Sequence, residues 1–177
     1  IRNTHSIADS CSLALFTPVG IILHTGDFKI DYTPIDGETM DLQRISNLGK
    51  EGVTLLMADS TNVERKGHSL SERSIGYTLE KIISKAKGRV IVATFASNIH
   101  RMQQIVDASI KNNRKIVFNG RSMENISKVA IELGYLHIPD SEILIIDDLK
   151  NYENNQITLI TTGSQGEPMA SLARIAF

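Results

Sequence analysis

The sequence predicts an α/β fold in two parts, a small β-rich region followed by a Rossmann-like domain with a parallel sheet. Near the start, two β-prone runs at residues 12–17 and 21–25 are joined across Pro18-Val19-Gly20, which is typical of an antiparallel hairpin. Further along, apolar runs alternate with helical patterns, which favours parallel strands covered on both faces. Residues 62–68 between these parts are polar and charged, so we expect a domain boundary there.

The first part places two acids at the ends of predicted strands. The run Ile21-Ile22-Leu23 leads into His24-Thr25-Gly26-Asp27-Phe28-Lys29, where Gly26 allows a bend and Asp27 stands at the strand terminus. Residues 53–58 form a nearly continuous apolar run, the pattern of a strand buried on both faces, and Asp59 follows it. Each strand therefore ends at a carboxylate, and strand ends are where the side chains of functional sites converge.

A short amphipathic helix is predicted between these strands, over residues 42–48 and ended by Gly49. In the second part, Ser69-Leu70-Ser71-Glu72 has the spacing of a capping box and predicts a helix that Gly88 stops. Further strands are predicted at 89–95, 115–118, 143–146 and 156–161.

Three more helices are predicted between and after those strands. One face of the first is marked by Ile99, Met102, Ile105, Val106 and Ser109. The second helix is expected to end at Gly134. The residues expected to face the core from this helix are Met123, Ile126, Val129, Ala130 and Leu133. The last is expected to open at Pro168.

Composition limits the classes of function. The chain has 177 residues, 41% of them hydrophobic and 22% charged, which is typical of a globular protein with one good core or one domain plus part of another. With 19 basic and 20 acidic residues, the formal charge of -1 gives no global attraction to nucleic acid, so a polyanion site must be a local patch. No apolar run approaches the ~20 residues that cross a bilayer.

The number of cysteines and the lack of a signal-peptide pattern indicate the cellular compartment in which we expect the protein. A single cysteine, Cys11, excludes an internal disulfide framework and a thiolate zinc site, which fits a reducing cytosol. We therefore expect a cytoplasmic protein without membrane association. The absence of an initial Met and the apolar helical run at residues 169–177 predict that the chain is a piece of something longer.

His5 and Asp27 are candidate metal ligands. A hairpin between them would bring the imidazole and the carboxylate close together, and both are groups that bind divalent metals. Two ligands alone do not hold zinc. A hydrogen-bonded turn aspartate beside a surface histidine explains the same pattern, and spacing alone favours that explanation.

Three strand-to-helix loops of the second part favour a phosphate-binding edge, because such loops emerge together on one edge of a parallel sheet. Each carries small hydroxyl or amide side chains, and two place glycine where a backbone could approach a phosphate. The candidate RNA-facing residues are Ser97, Asn98, His100, Arg101, Arg121, Ser164 and Gln165. Ordinary helix caps, turn glycines and solvated arginines remain an alternative for any one loop. Neither a Walker loop nor a dinucleotide fingerprint occurs, which favours a polynucleotide backbone over a nucleotide cofactor.

Five motifs, taken in order and spacing, resemble the ribonuclease J family, which belongs to the beta-CASP branch of the metallo-beta-lactamase fold. They are Thr4-His5-Ser6-Ile7-Ala8-Asp9-Ser10, His24-Thr25-Gly26-Asp27-Phe28-Lys29, Ala58-Asp59-Ser60-Thr61-Asn62, Phe95-Ala96-Ser97-Asn98-Ile99-His100-Arg101 and Thr162-Gly163-Ser164-Gln165-Gly166-Glu167-Pro168. The resemblance covers the whole chain. It implies that residues 1–62 are the C-terminal part of a metallo-beta-lactamase αββα domain and residues 63–177 an incomplete beta-CASP domain.

The resemblance also implies roles for individual residues. Such enzymes use two zinc ions to activate the water that attacks an RNA phosphodiester. His5 matches a histidine ligand, Asp27 the aspartate that bridges both metals, and Asp59 a catalytic acid linked to a beta-CASP histidine near the leaving group. Ribonuclease J proteins act as 5′-to-3′ exonucleases and as endonucleases in messenger RNA decay and ribosomal RNA maturation, and homo-oligomers or RNA-degradation partners are implied for the intact protein.

The sequence departs from the family pattern in its metal ligands. The H-x-H-x-D-H element and the final metal histidine of the family have no counterpart in these residues, so we expect zinc to be absent or weakly bound and the fragment itself to be inactive. A different class of function also remains open, an α/β module that binds RNA or a partner subunit without chemistry of its own.

Overall fold

The computed structural model describes residues 1–176, and for residue 176 the backbone only. The described residues divide into two compact units, the first spanning Ile1–Arg73 and the second beginning at Ser74. The division thus lies after Arg73, whereas the sequence placed the domain boundary after residue 62. Residue 177, which the predicted last helix includes, lies outside the described residues.

The first unit is a three-stranded sheet with one helix. Strands β1 (Leu13–Thr17) and β2 (Gly20–His24) pair antiparallel, which confirms the predicted hairpin, and β3 (Val53–Met57) pairs with β2 in parallel. Helix α1 (Leu42–Glu51) packs on one face of the sheet. The small core between helix and sheet consists of the buried residues Ile21, Leu23 and Leu48.

The opposite face of this sheet is exposed, so the expectation of a strand buried on both faces was wrong for residues 53–58. Leu13 and Leu15 of β1 share that face with Leu55 and Met57 of β3, and each of the four is between 49% and 57% exposed. A strand is buried on both faces only when something covers each face, and the described residues of the unit provide one helix.

Helix α1 also extends further than predicted. Gly49 lies inside it, and the helix ends at Glu51 with Gly52 as its C-cap, whose N–H donates to the carbonyl of Leu48 over 3.0 Å. Gly52 has a φ of 95°, a conformation that glycine adopts without strain. A glycine stops a helix where the backbone turns left-handed, and Gly49 does not adopt that conformation.

The second unit is a parallel sheet flanked by helices, as predicted. Strands β4 (Val90–Ala93), β5 (Lys115–Asn119) and β6 (Ile157–Thr161) lie in the order β4-β6-β5, with β6 parallel to both neighbours. The helices are α2 (Glu72–Lys85), whose first two residues belong to the first unit, α3 (Ile99–Lys111), α4 (Arg121–Glu132) and α5 (Ser171–Ala176).

The main core lies between the sheet and helices α3 and α4. The predicted inward face of α3 is confirmed, since Ile99, Met102, Ile105, Val106 and Ser109 are all buried. The other buried members of this cluster are Ile116, Phe118, Met123, Ala130, Leu136 and Ile160. On the other side of the sheet, a smaller cluster joins Val117, Leu144, Ile157 and Leu159.

The predicted inward face of α4 was partly wrong. Met123 and Ala130 are buried, but Ile126, Val129 and Leu133 are 37%, 48% and 65% exposed. The buried positions of the helix are Met123, Ser127 and Ala130. Because Ser127 satisfies its hydroxyl by donating to the carbonyl of Glu124 over 3.1 Å, a polar residue can occupy this inward position.

Two further expectations in this unit were wrong. Residues 143–146 form no strand, because Ile143 makes a single bridge to Ile116 and the chain then enters a 3₁₀ helix over Ile146–Asn151. The last helix begins at Ser171, three residues after Pro168, because the loop before it is closed by hydrogen bonds such as Ala170 N–H to the carbonyl of Glu167 over 3.0 Å.

Helix α2 is capped twice, by the adjacent Ser71, whose Oγ accepts the N–H of Arg73 over 3.3 Å, and by Asp31 from a distant part of the chain. The helix begins at Glu72, whose N–H donates to Oδ2 of Asp31 over 3.1 Å, so the expected capping box was wrong. Burial tends to raise the pKa of Asp31, but hydrogen bonds from Thr33, Ser71 and Glu72, together with Lys29, lower it below the usual value. Asp31 is therefore an anionic, buried anchor for the first residues of α2.

Arg114, directly before β5, is buried among carbonyl groups. Its guanidinium donates to the carbonyls of Ala86 over 2.5 Å, Gly88 over 2.9 Å and Ile157 over 3.2 Å. Burial lowers the pKa of Arg114. These bonds fasten the turn after α2 to the beginning of the sheet.

We predict that Arg114→Ala destabilises the second unit by about 3 kcal/mol, because three carbonyls lose a charged donor and a cavity remains. Urea unfolding followed by circular dichroism measures this. The control Arg44→Ala, at an exposed position of α1, should change stability by less than about 0.5 kcal/mol. Equal stability of the two variants would contradict the role given to Arg114.

Candidate functional site

The polar turns of the first unit lie at one edge of its sheet. The turn with Asp27 follows β2 and Asp59 follows β3, and these strands run parallel, so their carboxyl ends meet. Thr25 connects the two turns: its N–H donates to the carbonyl of Met57 over 3.0 Å and its hydroxyl accepts the N–H of Asp59 over 2.9 Å.

The N-terminal segment brings His5 to the same edge. Asn3 is buried and its amide donates to the carbonyls of Thr25 over 2.9 Å and Asp27 over 3.0 Å. His5 follows two residues later, and its Nε2 lies 3.9 Å from Oδ2 of Asp27. The structure thus places the predicted pair side by side. Their role as metal ligands stays a prediction.

Gly26 is required for this arrangement. Its φ is 61°, and a Cβ built on it would stand 2.9 Å from the carbonyl oxygen of Cys11. Any side chain here would therefore push the Asp27 turn away from the N-terminal segment. The imidazole of His24 supports the turn by accepting the N–H of Gly26 at Nδ1 over 3.0 Å, so His24 has a local structural contact.

Asp59 is oriented and held as an anion. Its Oδ1 accepts the N–H of Thr61 over 2.8 Å, and its Oδ2 accepts the N–H of Phe28 over 3.4 Å. The backbone N–H and hydroxyl of Thr61 lower the pKa of Asp59, with smaller contributions from the Phe28 N–H and the charge of His5, while partial burial acts in the opposite direction. The carboxylate is thus available at neutral pH to bind a cation or to orient a proton donor.

The donor set fits part of a divalent metal site. Two ligands ~2.1 Å from one tetrahedral ion stand ~3.4 Å apart, so a small rotation would bring the His5 and Asp27 donors, now 3.9 Å apart, into range. In the part of the chain that the structure describes, no group of three or more His, Cys, Asp or Glu side chains could hold a metal ion. Further ligands would have to come from elsewhere to complete a four-coordinate site.

The loops of the second unit converge on the carboxyl edge of its sheet, as the parallel order requires. Asn98 is the N-cap of α3, because its Oδ1 accepts the N–H of Arg101 over 3.0 Å. Ser97 is exposed, and His100 and Arg101 are half-buried on the first turn of the helix. Thr94 N–H donates to the carbonyl of Thr161 over 2.9 Å, which ties the loop after β4 to the end of β6.

The other two loops also lie at this edge. Arg121 is exposed at the first position of α4, and Ser164 and Gln165 are exposed in the loop after β6. The backbone N–H of Gln165 donates to Oε2 of Glu167 over 3.2 Å. The loops are brought together, whereas contact of their side chains with RNA stays a prediction.

Sequence reasoning missed the residues that support these sites. Asn3 and Thr25 hold the first site together through long-range bonds, and only their polarity beside apolar runs could have indicated it. Ser171 and Arg174 line a concavity beside Arg121, and no signal in the sequence indicated them. Among the helices of the described residues, none has the length and apolar character needed to cross a membrane.

Comparison with known proteins identifies relatives of the chain. The family model for the beta-CASP domain of ribonuclease J matches residues 87–177. Ribonuclease J of Thermus thermophilus is 47% identical over 176 residues, which are 99% of this chain and 30% of that protein. Ribonuclease J of Synechocystis is 48% identical over 99% of this chain and 28% of that protein. Ribonuclease J of Helicobacter pylori is 48% identical over 99% of this chain and 26% of that protein.

The chain therefore spans only about a quarter to a third of the length of these relatives, between 26% and 30%. Among solved structures, a protein of unknown function from Enterococcus faecalis matches 93% of this chain and 41% of its own, with a TM-score of 0.62 and 14% identity. At that identity the likeness concerns the fold alone.

We predict that Thr61→Val raises the pKa of Asp59 toward the usual value without reaching it, because the hydroxyl bond is lost while the Thr61 and Phe28 N–H groups remain. A pH titration of the Asp59 carboxyl carbon by NMR measures the change. Ser60→Ala is the control and should leave the pKa unchanged. An unaltered pKa in Thr61→Val would disprove the assigned cause.

Proposed function

The chain belongs to the ribonuclease J family, and on that basis we propose that it is part of a metal-dependent ribonuclease that hydrolyses RNA phosphodiesters. The intact enzyme would act as a 5′-to-3′ exoribonuclease and an endoribonuclease in messenger RNA decay and ribosomal RNA maturation in the cytoplasm. The observation that carries the proposal is the convergence of His5, Asp27 and Asp59 at one sheet edge of the first unit. Imidazole and carboxylate groups so placed suit phosphodiester hydrolysis.

In this proposal residues 1–62 belong to a metallo-beta-lactamase domain and residues 63–177 to the beta-CASP domain. His5 and Asp27 would hold zinc together with ligands from other parts of the intact protein. Bound zinc would lower the pKa of a water and neutralise phosphate charge. The chain's own contribution is to fix these donors, through the bonds of Asn3 to the Asp27 turn and through the left-handed Gly26.

Asp59 has a separate role in the proposal. Its lowered pKa keeps it ionised, and its two oxygens are fixed by the N–H groups of Thr61 and Phe28. An oriented anion of this kind can hold a protonated group in place so that it donates its proton to the leaving oxygen of RNA. Asp59 would thus be catalytic in orienting the proton donor.

The RNA strand would lie along the loop edge of the second unit. The candidate contacts are Ser97, Asn98, His100, Arg101, Arg121, Ser164 and Gln165. Because the Asn98 carbonyl oxygen already caps α3, its amide nitrogen is the group left to face RNA. Arginine and hydroxyl groups at such an edge bind phosphate without reading the bases, which suits an enzyme that degrades many sequences.

We predict that the chain binds single-stranded RNA with a steep salt dependence and that Arg101→Gln weakens binding about tenfold, because a phosphate contact is lost. Fluorescence anisotropy with labelled decauridylate across a salt series measures both. Arg44→Gln removes the same charge from exposed α1 and should change the affinity less than about twofold. Absence of RNA binding by the unchanged chain would reject this part of the proposal.

We predict that the purified chain does not hydrolyse RNA and binds Zn²⁺ only weakly, because it offers too few ligands among its described residues. We expect Zn²⁺ to cause small changes in the NMR chemical shifts of His5 and Asp27. The change at Asp27 should disappear in His5→Ala, and both changes should persist in the control His68→Ala. Robust metal-dependent cleavage by the purified chain would contradict the expected inactivity. If no Zn²⁺ concentration shifts either residue, a binding module without chemistry becomes the better explanation.

A further inference from the structure

A concavity of about 710 Å³ lies in the second unit, beside the carboxyl ends of β5 and β6. Its volume falls within the range of ~300–1,000 Å³ that is usual for sites of small molecules. The residues that determine its chemistry are Asn119, Arg121, Glu124, Ile146, Ser171 and Arg174. All of these lining residues come from the second unit.

The described lining carries two guanidinium groups and one carboxylate, which leaves a net positive charge. Glu124 is engaged, because its Oε1 accepts the N–H of Gly120 over 3.2 Å. Arg121 is exposed and forms no hydrogen bond or ion pair with the described residues. The pocket therefore has an excess of donors, and an anion would satisfy them.

Arg174 is positioned by a buried side chain. Its Nη2 donates to Oγ of Ser171 over 3.1 Å, and Ser171 is only 5% exposed. A Cβ built on Gly120, which has a φ of 99°, would stand 2.0 Å from the same hydroxyl oxygen. The start of α5 is thus packed directly against the start of α4, which brings the element that carries Arg174 next to the one that carries Arg121.

The floor of the pocket is also fixed. The amide of Asn119 donates to Oγ1 of the buried Thr161 over 3.3 Å, which links the ends of β5 and β6. Leu172 N–H donates to the carbonyl of Thr162 over 3.0 Å, so the first residues of α5 are bound to the end of the sheet. Two guanidinium groups in one lining favour a ligand with a phosphate group over an apolar one.

We propose that this pocket holds one phosphate group of an RNA strand between Arg121 and Arg174, with Ile146 as an apolar wall for the attached nucleoside. The inference rests on the proposed function and adds Arg174 and Ser171 to its RNA-binding residues. Guanidinium groups form paired bonds with phosphate oxygens, and two of them can hold one phosphate from both sides.

The test compares Arg121→Gln, Arg174→Gln and the double variant in anisotropy titrations with labelled decauridylate across a salt series. Each single variant should weaken binding about fivefold to tenfold and lower the salt slope by ~0.7, the value for one phosphate contact on a single strand. The double variant should lose less than the product of the two single losses, because both arginines hold the same phosphate. Lys128→Gln removes an exposed charge from α4 outside the pocket and is the matched control.

Probes with a 5′-phosphate or a 5′-hydroxyl distinguish a terminal phosphate from an internal phosphodiester. A loss confined to the 5′-phosphorylated probe assigns the pocket to the strand end, and an equal loss assigns it to the chain interior. Arg174→Lys keeps the charge without the paired geometry and should bind with an affinity between those of the wild type and Arg174→Gln. Because Arg121 makes no hydrogen bond or ion pair with the residues that the structure describes, Arg121→Gln tests the pocket even if changes at Arg174 disturb α5.

The inference is overturned if Arg121→Gln and Arg174→Gln behave like Lys128→Gln while Arg101→Gln still weakens binding. In that outcome the RNA-binding edge stands without this pocket. If the unchanged chain binds neither probe, the proposed RNA edge fails and the pocket fails with it. Additive losses in the double variant would show two separate phosphates and reject the shared site.

Discussion

Parallel pairing of neighbouring strands is the constraint on which both candidate sites depend. In the first unit, β2 and β3 run in the same direction, so the turns that carry Asp27 and Asp59 leave the sheet at one edge. In the second unit, the order β4-β6-β5 does the same for three loops. Antiparallel pairing would have sent alternate loops to opposite edges, and neither group of side chains would have met.

The sequence predicted the features that depend on local pattern. The β1-β2 hairpin follows from turn residues between two short apolar runs, and the inward face of α3 follows from apolar residues at helical spacing. The prediction failed where the elements packed against a helix determine which of its faces is buried. Ile126, Val129 and Leu133 fit a helical stripe, yet the face that packs on the core contains Ser127, because a serine that bonds to its own helix can be buried at small cost.

The candidate sites were predictable as motifs but not as geometry. His5 and Asp27 were identified by residue type, whereas the bonds of Asn3 and Thr25 that hold their turn join residues more than 20 positions apart. The pocket at Arg174 depends on the contact between Ser171 and Gly120, 51 positions apart by their numbers. Such contacts follow from the tertiary fold, and no local pattern indicates them. The cap of α2 by Asp31 is a further example.

The bare face of the first sheet has a consequence for work with this chain in solution. Leu13 and Leu15 of β1 and Leu55 and Met57 of β3 lie on this face, on either side of Ile22 and His24 of β2, and each of the four is about half exposed to water. Exposed apolar surface of this kind promotes association between molecules as the protein concentration rises. Samples should therefore be kept dilute, and a polar replacement such as Leu15→Thr offers a way to delay precipitation without touching either candidate site.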